Sequence, residues 1–341
     1  MIPHKYAPGR FLALLGFLIV SPLSHSQEPQ KPMVYEGTVG GLRFLEEGQP
    51  PAMIHATVDD MKRFHEANAH ARPGQVQAAS TTIDLTYHGG AVETTPKLYL
   101  VFWGSQWNNG DPSGEAAILQ SFYSGVGGSS WLNSVTQYCQ GVLIGTVFCS
   151  GQGQAAGNPG SILAGVWTDN ASPAPSHPRQ SQLAADAVTA AQHFHNTTGS
   201  SNASAQYVIA TATGNNSRGF GTQYCAYHSA TSSTVGNVAY TNLPYITDAG
   251  ASCGANFNGL GPHAGTTIVG GHEMGETITD QFPNGGWLDS GGAENGDKCA
   301  WIQSGQGASA NVSLSTGTFP VQSLWSNAFN GGAGGCVLSY P

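Results

Sequence analysis

The sequence predicts an α/β or α+β domain: a single mixed sheet with flanking helices, long Gly/Ser/Asn-rich loops and about three disulfides. Three observations predict it. First, the 341-residue chain is 40% hydrophobic and only 9% charged, with 47 Gly and 19 Pro, which excludes a coiled coil or helical repeat. Gly has no three-residue period, so collagen is excluded too, and seven Trp, twelve Tyr and thirteen Phe can fill a core that an ordinary disordered chain lacks. Second, strand-like and helix-like runs alternate from Thr81 onward. Third, all six Cys lie after residue 80, an even set that fits disulfides in an oxidising compartment.

Taken in order, the chain opens with Lys5 and Arg10 ahead of the apolar run 11–20, and Ser24-His25-Ser26 places small residues before a cut at Gln27. This is the pattern of an export signal, and the expected location is secreted or extracellular, with the periplasm as the bacterial equivalent. The apolar run is about half the length needed to span a bilayer, so no membrane is expected in the mature form. Of the 31 charged residues, 2 fall in 1–26, 12 in 27–80 and 17 in 81–341. The shift divides the chain into a signal peptide (1–26), an N-terminal extension or propeptide (27–80) and a main domain (81–341). Without the first 26 residues the formal charge moves from -9 to -11, because 9 bases then face 20 acids. That excess disfavours nucleic acid or an anionic membrane as partner.

Within 27–80, MVYEGTVGGLRF pairs as strands and the stretch from Thr57 to His65 reads as a capped, amphipathic helix. In the main domain, 81–90 and 97–104 read as strands; the second is almost continuously apolar and so belongs inside a sheet. Helices are expected over 115–124, 180–195 and 266–279, and strands over 206–212 and 235–243. Nearest-neighbour pairing of the cysteines would join Cys139 to Cys149, Cys225 to Cys253 and Cys299 to Cys336. Six Cys permit 15 connectivities, and the sequence does not choose among them. No C-x-x-C spacing supports a Cys-ligated metal.

The chemistry is concentrated in TTIVGGHEMGETITD, where His272, Glu276 and Asp280 recur at steps of four and stack on one helical face. Two metal ligands at i and i+4 suit zinc, and in H-E-x-x-H metalloproteases the Glu beside the first ligand activates water. Here the motif is H-E-x-x-E, with His272 and Glu276 as the first two ligands and Glu273 as the base. Six of the 13 acidic residues after position 80 lie between 273 and 297. Carboxylates so clustered in a charge-poor domain repel one another unless cations or protons neutralise them. The third ligand is expected from the following loop, as Glu294 or Asp297, 18 and 21 residues beyond Glu276. Asp297 has the advantage of lying two residues before Cys299, whose bridge would hold the loop. Alternatively, Asp289, Glu294 and Asp297 could bind calcium through oxygen, although no EF-hand spacing is present. The plain alternative for the whole motif is an amphipathic helix with an acidic, solvated face.

The blocks GGHEMGETITDQFPNGGW and GAENGDKC, with KLYLVFWGSQW, SSWLNSVTQY and YCAYHS, resemble secreted proteins of the EXORDIUM-like, phosphate-induced protein family and its bacterial relatives, over about residues 83–338. Gln281 stands where the family pattern has a proline after Asp280. The resemblance implies an extracellular α/β protein with a metalloprotease-like centre on His272, Glu273, Glu276, Asp280, Glu294 and Asp297. The plant members are better known as growth-associated wall proteins than as enzymes.

The remaining candidates are weaker. His228, three residues after Cys225, is a candidate further ligand or oxyanion stabiliser. His263 reads as a loop residue, and His193 and His195 as cations at a helix end. No G-x-S-x-G elbow appears, and oxidised cysteines leave no thiol nucleophile. A glycosidase pairing Glu273 or Glu276 with Asp289 or Glu294 leaves His272 unexplained. The expected function is therefore a secreted zinc-dependent hydrolase, a metallopeptidase acting on polypeptide, with Asp280 orienting His272 or Lys298. The opposing class is a non-catalytic protein that binds cell-wall polymer around a structural metal.

Overall fold

The computed structural model describes residue 1, residues 40–69 and residues 84–340. The export signal expected over 1–26 lies outside the described residues, apart from Met1. Residues 40–69 and 84–340 belong to one compact unit.

Its centre is a seven-stranded mixed sheet. The strands are β1 (Gly41–Arg43), β2 (Ala52–His55), β3 (Lys97–Trp103), β4 (Leu163–Asp169), β5 (Ala205–Thr211), β6 (Ala226–Ser233) and β7 (Gly236–Leu243). In space they run β1-β2-β6-β7-β5-β3-β4. β4, β3, β5 and β7 are parallel neighbours, whereas β6, β2 and β1 continue the sheet antiparallel. β3 has neighbours on both sides, which explains its near-continuous apolar run, since a strand covered on both faces has no solvent side to make polar. Leu98, Leu100 and Phe102 point to one face and Tyr99 and Val101 to the other, the two-residue period of a strand.

Helices cover both faces. α1 (Val58–Ala69) follows β2 and is capped by Thr57, whose Oγ1 accepts from the Asp60 amide at 3.2 Å. The α2 (Glu115–Gly125) and α4 (Ala264–Thr279) helices pack with Leu98, Leu100 and Phe102, while α3 (Gln180–His193) packs with Tyr99, Val101 and Tyr207. Each fully buried Leu or Phe in these layers contributes roughly 1.5–3 kcal/mol. α4 is buried at every residue, because the hairpin 310–321 packs against its outer side.

Several expected elements need adjustment. Of the strand expected over 81–90, residues 81–83 lie outside the described residues, and among the rest Thr86–Tyr87 forms strand, paired with Trp287–Leu288. β4 was not expected from its sequence, AGVWTD being short and interrupted by Gly165. Residues 40–69, assigned by charge to an N-terminal extension, contribute two sheet strands and a helix to the same unit as the main domain. Charge density tracks solvent exposure on α1, not a boundary between bodies.

The three disulfides are Cys139–Cys149, Cys225–Cys253 and Cys299–Cys336. The second anchors the start of β6 to the turn before α4, and the third ties the segment after Asp297 to the strand Gly335–Val337. Among the described residues no helix is long and apolar enough to cross a membrane.

Candidate metal centre

α4 delivers His272, Glu273 and Glu276 to one place because residues four apart on a helix lie one turn above another. His272 Nε2 is 3.0 Å from Glu276 Oε1. The loop after the helix brings Asp297 to the same point, its Oδ1 3.9 Å from His272 Nε2. The Asp297 amide donates to Glu276 Oε1 at 2.8 Å, and the Glu294 amide to Asp297 Oδ2 at 3.2 Å. This approach requires a glycine at 296: a Cβ there would meet His272 Nδ1 at 2.7 Å and Glu276 Oε1 at 2.9 Å.

The other side of the centre is built by β6. His228 Nδ1 lies 3.2 Å from Glu273 Oε2 and 3.6 Å from Glu276 Oε2, and its Nε2 lies 3.4 Å from Glu294 Oε2. The geometry thus separates the two loop carboxylates that spacing left open. Asp297 stands with His272 and Glu276, where ligand atoms lie within 4.8 Å of one another, while Glu294 faces His228. Two further groups of the same closeness are His228 with Glu273 and Glu276, and His55 with His272 and Glu273.

Sequence reasoning missed two members. His55, on β2, stacks on His272 with ring centroids 3.7 Å apart and planes at 2°. Nothing local marks it, since AMIH reads as a plain buried strand. Gln322 accepts from His272 Nδ1, the two atoms 3.2 Å apart, while its own amide group donates to the Gly296 and Ser323 carbonyls. With both amide hydrogens so used, the Gln322 oxygen faces the imidazole and places the ring proton on Nδ1. The lone pair of His272 Nε2 then points at Glu276 and Asp297, an arrangement that repels unless a cation or a second ring proton lies between.

The electrostatics make the same demand. His55, His228, His272, Glu273, Glu276 and Glu294 are all 0% exposed, and Asp297 is 8% exposed. His228 Nε2, His272 Nε2, Glu273 Oε1, Glu276 Oε2 and both Glu294 oxygens are buried without a hydrogen-bond partner among the described residues. Burial, with the neighbouring Glu276 charge behind it, pushes the Glu273, Glu294 and Asp297 carboxyls well above the usual carboxylate range. Burial opposes ionisation of Glu276 as well, but contact with His272 outweighs it and lowers the carboxyl, while Glu276 in turn raises His272 against burial. His228 is pushed down to about 4 by burial, against the pull of Glu276. A divalent cation would hold these carboxylates ionised and fill the vacant acceptor positions together. The donor set, imidazole nitrogen with carboxylate oxygen, suits zinc.

Two expectations are corrected. Asp280 does not orient His272 or Lys298: at the C-terminus of α4 its carboxylate accepts from the amides of Asn284, Gly285 and Gly286, at 2.8, 3.2 and 2.7 Å. Those bonds fix the turn that leaves the helix. Asp289 does not join Glu294 and Asp297 in an oxygen cage, because it pairs with Lys298 at 2.9 Å and folds its own turn through the Gly291 and Ala293 amides. His263 precedes α4 without capping it, and His193 stacks on Trp167 away from the centre. Comparison of the chain with protein-family models, with curated proteins and with solved structures finds no match.

Proposed function

We propose that this chain is a secreted, zinc-dependent hydrolase of the metallopeptidase type, with His272, Glu276 and Asp297 as metal ligands on a zincin-like H-E-x-x-E helix. One observation carries the reading: a fully buried His272 Nε2 faces the Glu276 and Asp297 carboxylates, 3.0 and 3.9 Å away. The three disulfides and the resemblance of the α4 block to EXORDIUM-like proteins support an extracellular setting. Zinc, when bound, supplies a Lewis acid that polarises a carbonyl and acidifies water.

The chain's own residues supply the rest. Glu273 accepts a proton from the attacking water and returns it to the leaving amine. His228, 3.2 Å from Glu273 Oε2, fixes the direction of that carboxylate through its Nδ1 hydrogen, which leaves a neutral ring no second N–H for a developing oxyanion. Gln322 holds the tautomer of His272. Glu294, beside His228, completes the acidic wall; an oxygen-rich site of this kind also admits calcium, which metal analysis separates from zinc.

The second reading is a non-catalytic surface or cell-wall protein with a structural cation, and the full burial of the centre favours it. Glu273→Gln decides between them. A hydrolase keeps its metal and loses turnover on a peptide-substrate panel, whereas a structural site keeps its metal and full binding function.

A further inference from the structure

A cation held by His272, Glu276 and Asp297 leaves one oxygen of Glu276 over. Glu276 Oε1 faces His272 Nε2 at 3.0 Å and accepts from the Asp297 amide, but Oε2 is buried with no hydrogen-bond partner among the described residues. That oxygen turns to β6, where His228 Nδ1 lies 3.6 Å from it and 3.2 Å from Glu273 Oε2. Ligand atoms of His228, Glu273 and Glu276 come within 4.8 Å of one another, the same closeness as for His272, Glu276 and Asp297. One carboxylate thus belongs to two groups, each with an imidazole and a second acid of its own.

Charge points the same way. Glu273, Glu276 and Glu294 are 0% exposed and Asp297 is 8% exposed. Lys298, next to Asp297 in the chain, is engaged by Asp289. One divalent cation at His272 balances two of these four carboxylates, and a second balances the rest, in a place where charge without a counter-ion is costly.

We propose that His228, Glu273 and the second oxygen of Glu276 form a second cation subsite, weaker than the first and joined to it through the Glu276 carboxylate, and that filling it takes Glu273 out of service as the base. The proposal rests on the metal-hydrolase reading above and adds to it control by metal supply. With one cation bound, the Nδ1 hydrogen of His228 holds Glu273. The second cation takes the place of that hydrogen, and the ring, still neutral, carries a hydrogen on Nε2 instead, which faces Glu294 Oε2 at 3.4 Å. A carboxylate behind a metal-bound imidazole is the usual neighbour of that hydrogen. Glu273 is then a ligand and not a free base. One nitrogen with two carboxylate oxygens is a donor set for zinc or cobalt.

The test follows Co²⁺ uptake by the full-length chain, stripped with a chelator and reloaded by equilibrium dialysis. Wild type should take up two equivalents, the second held about tenfold or more weakly, because ions about 3.5–4 Å apart repel. The paramagnetic signal of the first cobalt should lose intensity as the second binds, since ions that share one carboxylate are spin-coupled. His228→Ala, and His228→Phe, which keeps a ring in place, should each hold the first equivalent and lose the second. Glu273→Gln should hold the first and weaken the second by about tenfold or more, at least the loss that follows removal of an outer partner; with the wild-type coupling it decides the matter if both His228 variants misfold. Uptake that stops at one equivalent, a second equivalent whose signal merely adds to the first, or a second equivalent retained in folded His228 variants overturns the subsite and leaves the zinc reading standing. A wild type that takes up no cobalt defeats both. Turnover on the peptide panel should rise with the first equivalent and fall with the second. Turnover that holds through the second overturns the inhibition, and two coupled ions with no turnover at either loading defeat the hydrolase reading while the subsite stands.

Discussion

His272, Glu276 and Asp297 meet because two local rules act together: a one-turn helical step and a loop that glycine allows to close on it. At this scale the roles separate cleanly. Glu273→Gln is expected to retain metal and lower turnover by about 10²–10⁴, the usual contribution of a positioned general base; steady-state kinetics beside metal analysis checks it. Gln322→Ala removes the acceptor that fixes His272 Nδ1 and should weaken metal binding by about 10–100-fold, measured by competition with a chelator. Asp280→Asn should instead lower thermal stability with metal affinity unchanged, since its bonds go to the turn 284–286. The cluster of His272, Glu273 and Glu276 on α4 is legible in the sequence because its spacing is local, whereas spacing leaves Glu294 and Asp297 undecided. His55 and Gln322 are not legible, because strand pairing and hairpin packing bring them in from distant parts of the chain, and no local pattern encodes such an approach.

Among the elements, α4 and β6 are the two walls of the site, and a disulfide anchors each. Cys225–Cys253 fixes the start of β6 beside the turn into α4, and Cys299–Cys336 fixes the segment after Asp297. Replacing Cys299 and Cys336 together by serine should cost about 2–4 kcal/mol of stability, the usual range for a native bridge, and should loosen metal binding because Asp297 loses its anchor. Denaturant unfolding with and without metal separates the two effects. The helices over 115–125, 180–193 and 264–279 lie close to where periodicity places them. β4 carries no clear strand signal because Gly165 breaks an already short run. Charge sets 27–80 apart from the domain, although its described part, 40–69, belongs to it, for a similar reason: composition reports how much of α1 faces water, and pairing of β2 with β6 leaves no trace in composition.

For the whole molecule, buried acids set the pH response. Glu93 is fully buried, and burial raises its carboxyl to about 8 despite a hydrogen bond from Gln206. Asp186 is likewise raised to about 8 by burial and then by Asp169. An acid whose folded value lies above its unfolded one binds more protons in the folded state, so its contribution is complete below about 4 and is lost as pH rises through about 8. Thermal unfolding of the chain should therefore fall in midpoint as pH rises from about 5 to about 8, the interval between the unfolded and folded values of these acids. Glu93→Gln should flatten part of that decline, and an unchanged slope would remove Glu93 from the explanation.

On the proposed reading a single cation would serve the chemistry and hold α4, its loop and β6 together. The most direct measurement is elemental analysis of the full-length, gently purified protein beside His272→Ala prepared in the same way. About one zinc per chain in the wild type and none in the variant is the result the account predicts, as expected for a closed His/carboxylate site. Calcium alone, no metal in either protein, or equal zinc in both would contradict it.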